Sequence, residues 1–441
     1  MDYLSTRTPD HRVSLSEALQ RGLAPDGGLY VPASFPSLAP SDFSECDTPE
    51  AIAERMLEPL FDGDRLAPEL SGIVEDMYGF PLPLQDLGRN TYVLELFHGP
   101  TAAFKDVGAR FLASCFSRLN RQAREPLTIL VATSGDTGAA VAAAFWKKPN
   151  VEVVVLYPKG KVSDRQEKQL TGWGENVQTI AVRGVFDDCQ RLVKDAFQSD
   201  HWQERKRLSS ANSINIGRLL PQMTYYAVAS LQIWREHGER ANFIVPSGNL
   251  GNALACVYAR ESGLPIGEVV FATNENRPVT AFLEDGTWTP METVETLATA
   301  MDVGNPSNME RLRHLYPSVE TLRDAIHAER VTDDAISRRI EEGPGEWGET
   351  WCPHTATAVD VREQQLDREE DASPSGAPWV LVATAHPAKF NDIVEPLIEK
   401  TVPVPQALQD VMQRSRSAPE ITPSLEAMEE IVLDVPASAK K

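Results

Sequence analysis

From about residue 92 the chain alternates between short runs of Val, Ile and Leu and longer stretches whose apolar residues recur at helical spacing. The short runs lie at 93–97, 127–131, 151–156, 177–182, 243–245, 269–271 and 380–382, and each predicts a strand. Helices are predicted over 138–146, 186–196, 219–235 and 252–262, and another opens at Lys105, where Val107, Phe111, Leu112, Cys115 and Phe116 form an apolar stripe. Strands that alternate with helices predict an α/β fold, with parallel sheets covered on both faces. Ligands in such folds bind beyond the carboxyl ends of the strands, so the loops after strands are where chemistry is expected.

The remainder of the chain is patterned differently. Residues 1–80 are mixed and turn-rich: a capped helix begins at Ser14-Leu15-Ser16-Glu17, Pro25-Asp26-Gly27-Gly28 makes a turn, Leu29–Pro32 reads as a strand and Ala51–Leu60 as a helix. Residues 285–350 read as helical and charged, 367–378 as an exposed loop, and the stretch after about 400 shows little pattern. No internal repeat is present.

Composition narrows the class. A chain of 441 residues predicts two or three domains, and 42% hydrophobic with 24% charged residues is ordinary for a globular protein. The net charge of −22 argues against nucleic acid or an anionic membrane surface as partner. An anionic substrate would therefore need a local basic pocket. The five cysteines are scattered, odd in number and without C-x-x-C spacing, which predicts neither disulfides nor a metal site. With no signal segment and no run of membrane-span length, a cytoplasmic chain is expected.

Candidate chemistry sits in the loops. Lys105 follows a Gly99-Pro100 turn beside Phe104; desolvation there would favour the neutral amine that Schiff-base chemistry requires, although a solvated lysine in a first helical turn reads the same way. Thr133-Ser134-Gly135-Asp136-Thr137-Gly138 runs from a strand into an Ala-rich helix; it suits a carboxylate at the helix N-terminus, or plain N-capping. Ser247-Gly248-Asn249-Leu250-Gly251-Asn252 offers a phosphate nest without a lysine, or only a glycine-rich turn. Thr384 at a strand end offers a neutral hydroxyl, and His386 before Pro387 reads as a helix-start residue. Asn212-Ser213-Ile214-Asn215-Ile216-Gly217-Arg218 brings amides and a guanidinium together, and Lys159 and Lys161 follow another strand.

Taken in order along the chain, these loops resemble the fold-type II family of pyridoxal-phosphate enzymes, and within it the threonine synthases of the longer bacterial and fungal kind. The early Tyr3-Leu4-Ser5-Thr6-Arg7 and Gly22–Pro32 stretches belong to the same resemblance, which spans nearly the whole chain. It implies two parallel-type twisted sheets with flanking helices plus a small N-terminal domain at 1–90. A pyridoxal-phosphate-binding α/β domain would cover 91–400, with a smaller subdomain at roughly 120–225, and a C-terminal extension 401–441.

The resemblance also implies roles. Lys105 would hold the cofactor and then act as acid and base. Gly248, Asn249, Leu250, Gly251 and Asn252 would cradle the cofactor phosphate, and Thr384 would face the pyridine nitrogen. Thr133, Ser134 and Thr137 would take the substrate carboxylate, with Asp136 near the cofactor's phenolic oxygen. Asn212, Ser213, Arg218 and Lys161 would hold the phosphate of a small phosphorylated amino acid, O-phosphohomoserine, on its way to threonine. The expected assembly is a monomer or homodimer. Two positions depart from common patterns of the family: Asp136 stands where an amide is frequent, and Leu250 where an aromatic is. The competing readings are a fold-type II dehydratase and a non-catalytic phosphate-ligand-binding homologue.

Overall fold

The computed structural model describes residues 1–133, 135–369, 376–414 and 417–433. The N-terminal part contributes β1 (Tyr3–Ser5), β2 (Arg12–Val13) and β3 (Tyr30–Pro32), followed by β4 (Leu84–Asp86) and β5 (Thr91–Glu95). Next in the chain are β6 (Leu127–Ala132), β7 (Val151–Pro158), β8 (Val177–Val182) and β9 (Arg207–Ser210). β10 (Ala241–Pro246), β11 (Ile266–Thr273), β12 (His327–Arg330), β13 (Trp379–Ala383) and β14 (Glu420–Ile421) complete the set.

These strands form three sheets. β2-β1-β3 is a small antiparallel sheet at the N-terminus. The larger sheet has the order β12-β11-β10-β13-β5-β4, parallel throughout except for β4 at its edge. The smaller one, β14-β8-β7-β6-β9, is wholly parallel. The α/β class and parallel sheets expected from the alternation are present, two of them as the resemblance implies, and all seven apolar runs lie in strands. Their central members are buried on both faces, which is why they read as continuous apolar runs.

Departures from the predicted elements have local causes. The helix expected over 219–235 is two, Ile216–Leu219 and Gln222–His237, because Pro221 between them cannot donate a backbone hydrogen bond. The helix expected to reach Leu60 ends at Leu57 and continues as the 3-10 turn Glu58–Phe61, with Pro59 in it. The region 285–350 is not purely helical. Helices Met309–Leu315, Val319–Ala325 and Asp333–Glu346 enclose β12, an edge strand whose four residues (His, Ala, Glu, Arg) carry no apolar alternation. The loop expected at 367–378 starts later, since a helix runs Pro353–Glu369; residues 370–375 of it lie outside the described residues.

The stretch after residue 400 is more structured than its pattern suggested. It holds helices Gln406–Met412 and Leu425–Val432, and β14 adds to the edge of β8 with Ala181 N–H donating to Pro419 O and Arg183 N–H to Ile421 O, both at 2.9 Å. Two paired residues are too few to show a period of two. Among the described residues no helix is long and apolar enough to cross a membrane.

The two larger sheets meet where their post-strand loops interlock. Gln169, on the helix Asp164–Thr171 that follows β7, donates to Thr101 O at 3.3 Å, and Arg165 of the same helix donates to Ala388 O. Thr101 and Ala388 belong to the loops after β5 and β13 of the larger sheet. That junction is where the candidate site lies.

Candidate active site

Lys105 is the first residue of the helix Lys105–Leu119, and its Nζ stands 5.1 Å from the Phe104 ring centroid. The turn before it is fastened from the far side. Asp106, 1% exposed, takes the Thr101 N–H at 2.9 Å and the Thr101 hydroxyl at 2.6 Å. Ala102 is in the left-handed region at φ 53°, and Ala103 bridges to Ala385 in the loop after β13. Phe104 N–H donates to Thr384 O at 2.9 Å, so Thr384 lies against the start of the Lys105 helix. The Lys105 side chain keeps 16% exposure. Burial lowers the affinity of its amine for a proton; Asp136 opposes that, while Lys389 and Arg218 reinforce it.

Asp136 begins the helix Asp136–Phe145 and is almost fully buried. Its Oδ1 is 2.8 Å from Lys389 Nζ, and its Oδ2 is 3.9 Å from Lys105 Nζ. Burial pushes this carboxyl up, but the two lysines outweigh burial and hold it below the usual carboxylate range. Thr133 is a capping residue here: its Oγ1 accepts from Gly135 N–H at 3.0 Å and Gly138 N–H at 2.9 Å. Gly135 turns at φ 139°, and a Cβ on it would come within 2.5 Å of the Gln166 amide. Thr137 is half-buried on the first helical turn. Ser134 lies outside the described residues.

The loop 247–252, expected as a phosphate nest, turns sharply into a helix. Leu250 adopts the left-handed conformation (φ 61°, ψ 0°) and leads into the helix Gly251–Glu261, whose N-terminus no side chain caps. Asn249 ties the loop down: its Nδ2 donates to Ser213 Oγ at 2.6 Å, and its Oδ1 accepts the Ser307 N–H at 2.6 Å. Asn252 Oδ1 accepts from Tyr226 Oη at 2.8 Å and from Tyr225 Oη. Its Nδ2 is buried without a partner, as is the Ser247 hydroxyl. Two orphaned donors beside an uncapped helix N-terminus fit a bound phosphate group.

A buried guanidinium also acts on Lys105. Arg218 is 3% exposed, its Nη1 donates to Ala211 O, and its Nε is buried without a partner. Burial pulls its guanidinium down to about 10. Gly108, one turn after Lys105, gives it room: a Cβ there would lie 3.0 Å from Arg218 Nε. Asn212 Oδ1 is likewise buried and unpartnered. Lys161 stands apart, exposed on the turn after β7, and no hydrogen bond or ion pair among the described residues joins its side chain to this group.

Several residues escaped the sequence reading. Lys389 is wholly buried, although a lone lysine in the apolar run Pro387-Ala388-Lys389-Phe390 was a usable signal. Arg311, also wholly buried, donates to Tyr30 O (3.0 Å), Ser213 O (3.1 Å), Ile214 O (2.6 Å) and Asn308 Oδ1 (2.7 Å). Asn308 in turn donates to Asn249 O at 2.9 Å, so one guanidinium joins β3 to the 212–218 loop and, through Asn308, to the 247–252 loop. His354 accepts from Ala300 N–H at 3.0 Å, and burial depresses it to about 4. His386 is a capping residue, as its place before proline suggested, with Nδ1 accepting from Ala388 N–H at 3.1 Å.

Residues 2–78 match the family described as threonine synthase N terminus, 78–385 the pyridoxal-phosphate dependent enzymes, and 355–432 threonine synthase, C-terminal. Threonine synthase of Haemophilus influenzae is 39% identical over 414 residues, which cover 92% of this chain and 94% of that one. The crystal structure of threonine synthase from Escherichia coli superposes with a TM-score of 0.89 at 35% identity, covering 98% of this chain and 100% of that one. The pyridoxal-phosphate-bound threonine synthase from Brucella melitensis gives the same score and identity, with 98% of each chain covered. A likeness that runs from the N-terminal sheet to the helix after β14 places this chain in the threonine synthase family, among the pyridoxal-phosphate dependent enzymes.

Proposed function

We propose that this chain converts O-phospho-L-homoserine and water into L-threonine and phosphate, with pyridoxal phosphate held at Lys105. The observation that carries the reading is a pair of candidate anion-binding groups: the uncapped helix start at 250–252 with its two orphaned donors, and the buried Arg218 that faces the desolvated Lys105 amine. A phosphorylated cofactor and a phosphorylated substrate require two such groups; a dehydratase acting on an unphosphorylated amino acid has use for one.

When bound, the pyridoxal ring supplies an electron sink for charge that develops beside the substrate nitrogen. Lys105 Nζ would hold the ring, and its amine would carry protons at the α- and β-carbons of the substrate. Gly248, Asn249, Leu250, Gly251 and Asn252 receive the cofactor phosphate, and Ser247 adds its unpartnered hydroxyl. Thr384 would present a neutral hydroxyl to the ring nitrogen. Arg218, Asn212 and Ser213 receive the substrate phosphate and stabilise it as it leaves; Lys161 would join them only by movement of its turn. Thr133 shapes the loop that takes the substrate carboxylate, together with Ser134 and Thr137, and Asp136 fixes the charge beside Lys105.

The same reading divides the chain into an N-terminal domain at 1–90, a cofactor domain at 91–400 with its smaller part near 120–225, and an extension at 401–441 that lends β14 to the smaller sheet. It is a cytoplasmic enzyme, monomeric or homodimeric, with neither nucleic acid nor membrane as partner; the charge of −22 supports the last point.

Purified protein supplied with pyridoxal phosphate is expected to release phosphate from O-phosphohomoserine and to form little keto acid from threonine. The opposite ratio would favour the dehydratase reading, and protein that stays colourless with the cofactor would favour the non-catalytic one. Arg218→Met is expected to raise KM for the phosphorylated substrate on the order of 100-fold, the cost of losing a buried charged partner of an anion. Cofactor absorbance should stay unchanged in that variant, and an unaltered KM would remove Arg218 from the substrate site.

A further inference from the structure

The site contains a second buried amine for which the reaction above has no use. Lys389 Nζ is held by Thr101 O at 2.8 Å and by Asp136 Oδ1 at 2.8 Å, with no side-chain exposure. The other oxygen of the same carboxylate is 3.9 Å from Lys105 Nζ. One anion is thus shared between two amines, one locked in place and the other at the site of chemistry. A buried ion pair is weak evidence for stability, because an apolar pair of the same volume does as well or better. Its geometry here points to a use.

We propose that Lys389 is a positioning residue that acts on Lys105 through Asp136: it occupies the carboxylate, so that Asp136 holds the proton on Lys105 less tightly and the amine is more readily available as a nucleophile. An unshared carboxylate within 4 Å would favour the ammonium form by about 1–3 pH units. The other charged or titratable groups facing Lys105 leave this role to Lys389. Cys352 and His354 are kept neutral by burial, which pushes the thiol up and the imidazole down. Arg218 is a cation already engaged with Ala211 O, and Asp106 is spent on Thr101. Asp136 is the anion beside Lys105, and Lys389 is what neutralises it. The inference rests on Lys105 being the nucleophile of the proposed function.

The test needs no turnover. Full-length protein freed of cofactor is treated with acetic anhydride across a pH series, and acetylation of Lys105 is quantified by peptide mapping. In Lys389→Met the midpoint of Lys105 labelling is expected to rise by at least one pH unit, an approximately tenfold loss of reactivity below it. Adding Asp136→Asn should bring the midpoint back down, which a purely structural role for Lys389 would not produce. An unmoved midpoint in a cooperatively melting Lys389→Met, or no return in the double variant, overturns the proposal. If Lys389→Met does not fold, Asp136→Asn alone decides: its midpoint should fall, and a constant or raised midpoint overturns the proposal. Failure of phosphate release with the labelling shifts intact would count against the proposed reaction and leave the coupling of the amines standing.

Discussion

Lys105→Ala is expected to give a folded protein without turnover. The position is the first of a 15-residue helix, where alanine is the best helix former, and the lost side chain is partly exposed. Asp136 keeps its 2.8 Å partner Lys389, so the substitution leaves no bare buried charge. A stability change within about 1 kcal/mol follows. The effect on catalysis is of another order, because anchor and proton carrier disappear together. Rates should fall by on the order of 10⁴-fold or more, as when a covalent catalyst is removed elsewhere. Pyridoxal phosphate should still bind, loosely, through the 247–252 loop. Phosphate release and cofactor retention on dialysis measure the two effects separately, and near-normal turnover would sink the assignment of Lys105.

Gly248→Ala is expected to damage cofactor binding with little effect elsewhere. A Cβ at this position would lie 2.6 Å from Met301 Cα, 2.8 Å from Met301 O and 2.9 Å from its carbonyl carbon. All three are backbone atoms of the 3-10 turn Thr299–Met301, so no side-chain rotation relieves the clash. Either that turn or the anion loop must shift. Overpacking of this kind costs about 1–3 kcal/mol. Expressed wholly in cofactor affinity, the upper part of that range is about 100-fold. A spectroscopic titration with pyridoxal phosphate, paired with thermal melting, reads how the cost is divided. Unchanged affinity and unchanged melting together would show that the contact with Met301 is not maintained in solution.

Much of the site was readable because its loops follow strands that are themselves easy to read. The runs at 127–131, 243–245 and 380–382 mark β6, β10 and β13, and the loops with Thr133, Gly248 and Thr384 lie directly after them. What stayed hidden was electrostatic. Sequence counts the charges of Asp136, Lys389 and Arg311 but does not tell whether water reaches them, and desolvation decides what each one does. Arg311 looked like an ordinary charge on a helix, yet it is wholly buried and binds four acceptors on three segments of the chain. The strands that went unread, β1, β2, β4, β9, β12 and β14, are two to four residues long, too short to write a period, and all but β1 lie at a sheet edge.

The pairing of β14 with β8 bears on how the protein is made. Arg183 beside β8 and Glu420 in β14 are 237 residues apart in sequence, yet their side chains meet at 3.4 Å. A ribosome delivers β8 more than half a chain-length before its neighbour exists, and at about 5–20 residues per second that interval lasts on the order of 10–50 s. Throughout it the nascent smaller sheet presents an unpaired edge, the kind of surface on which chains join to one another. Biogenesis of this protein therefore has a vulnerable window whose closing is set by translation speed, and chaperone depletion or slowed elongation over the last third of the message should lower its soluble yield before any change in the finished enzyme is seen.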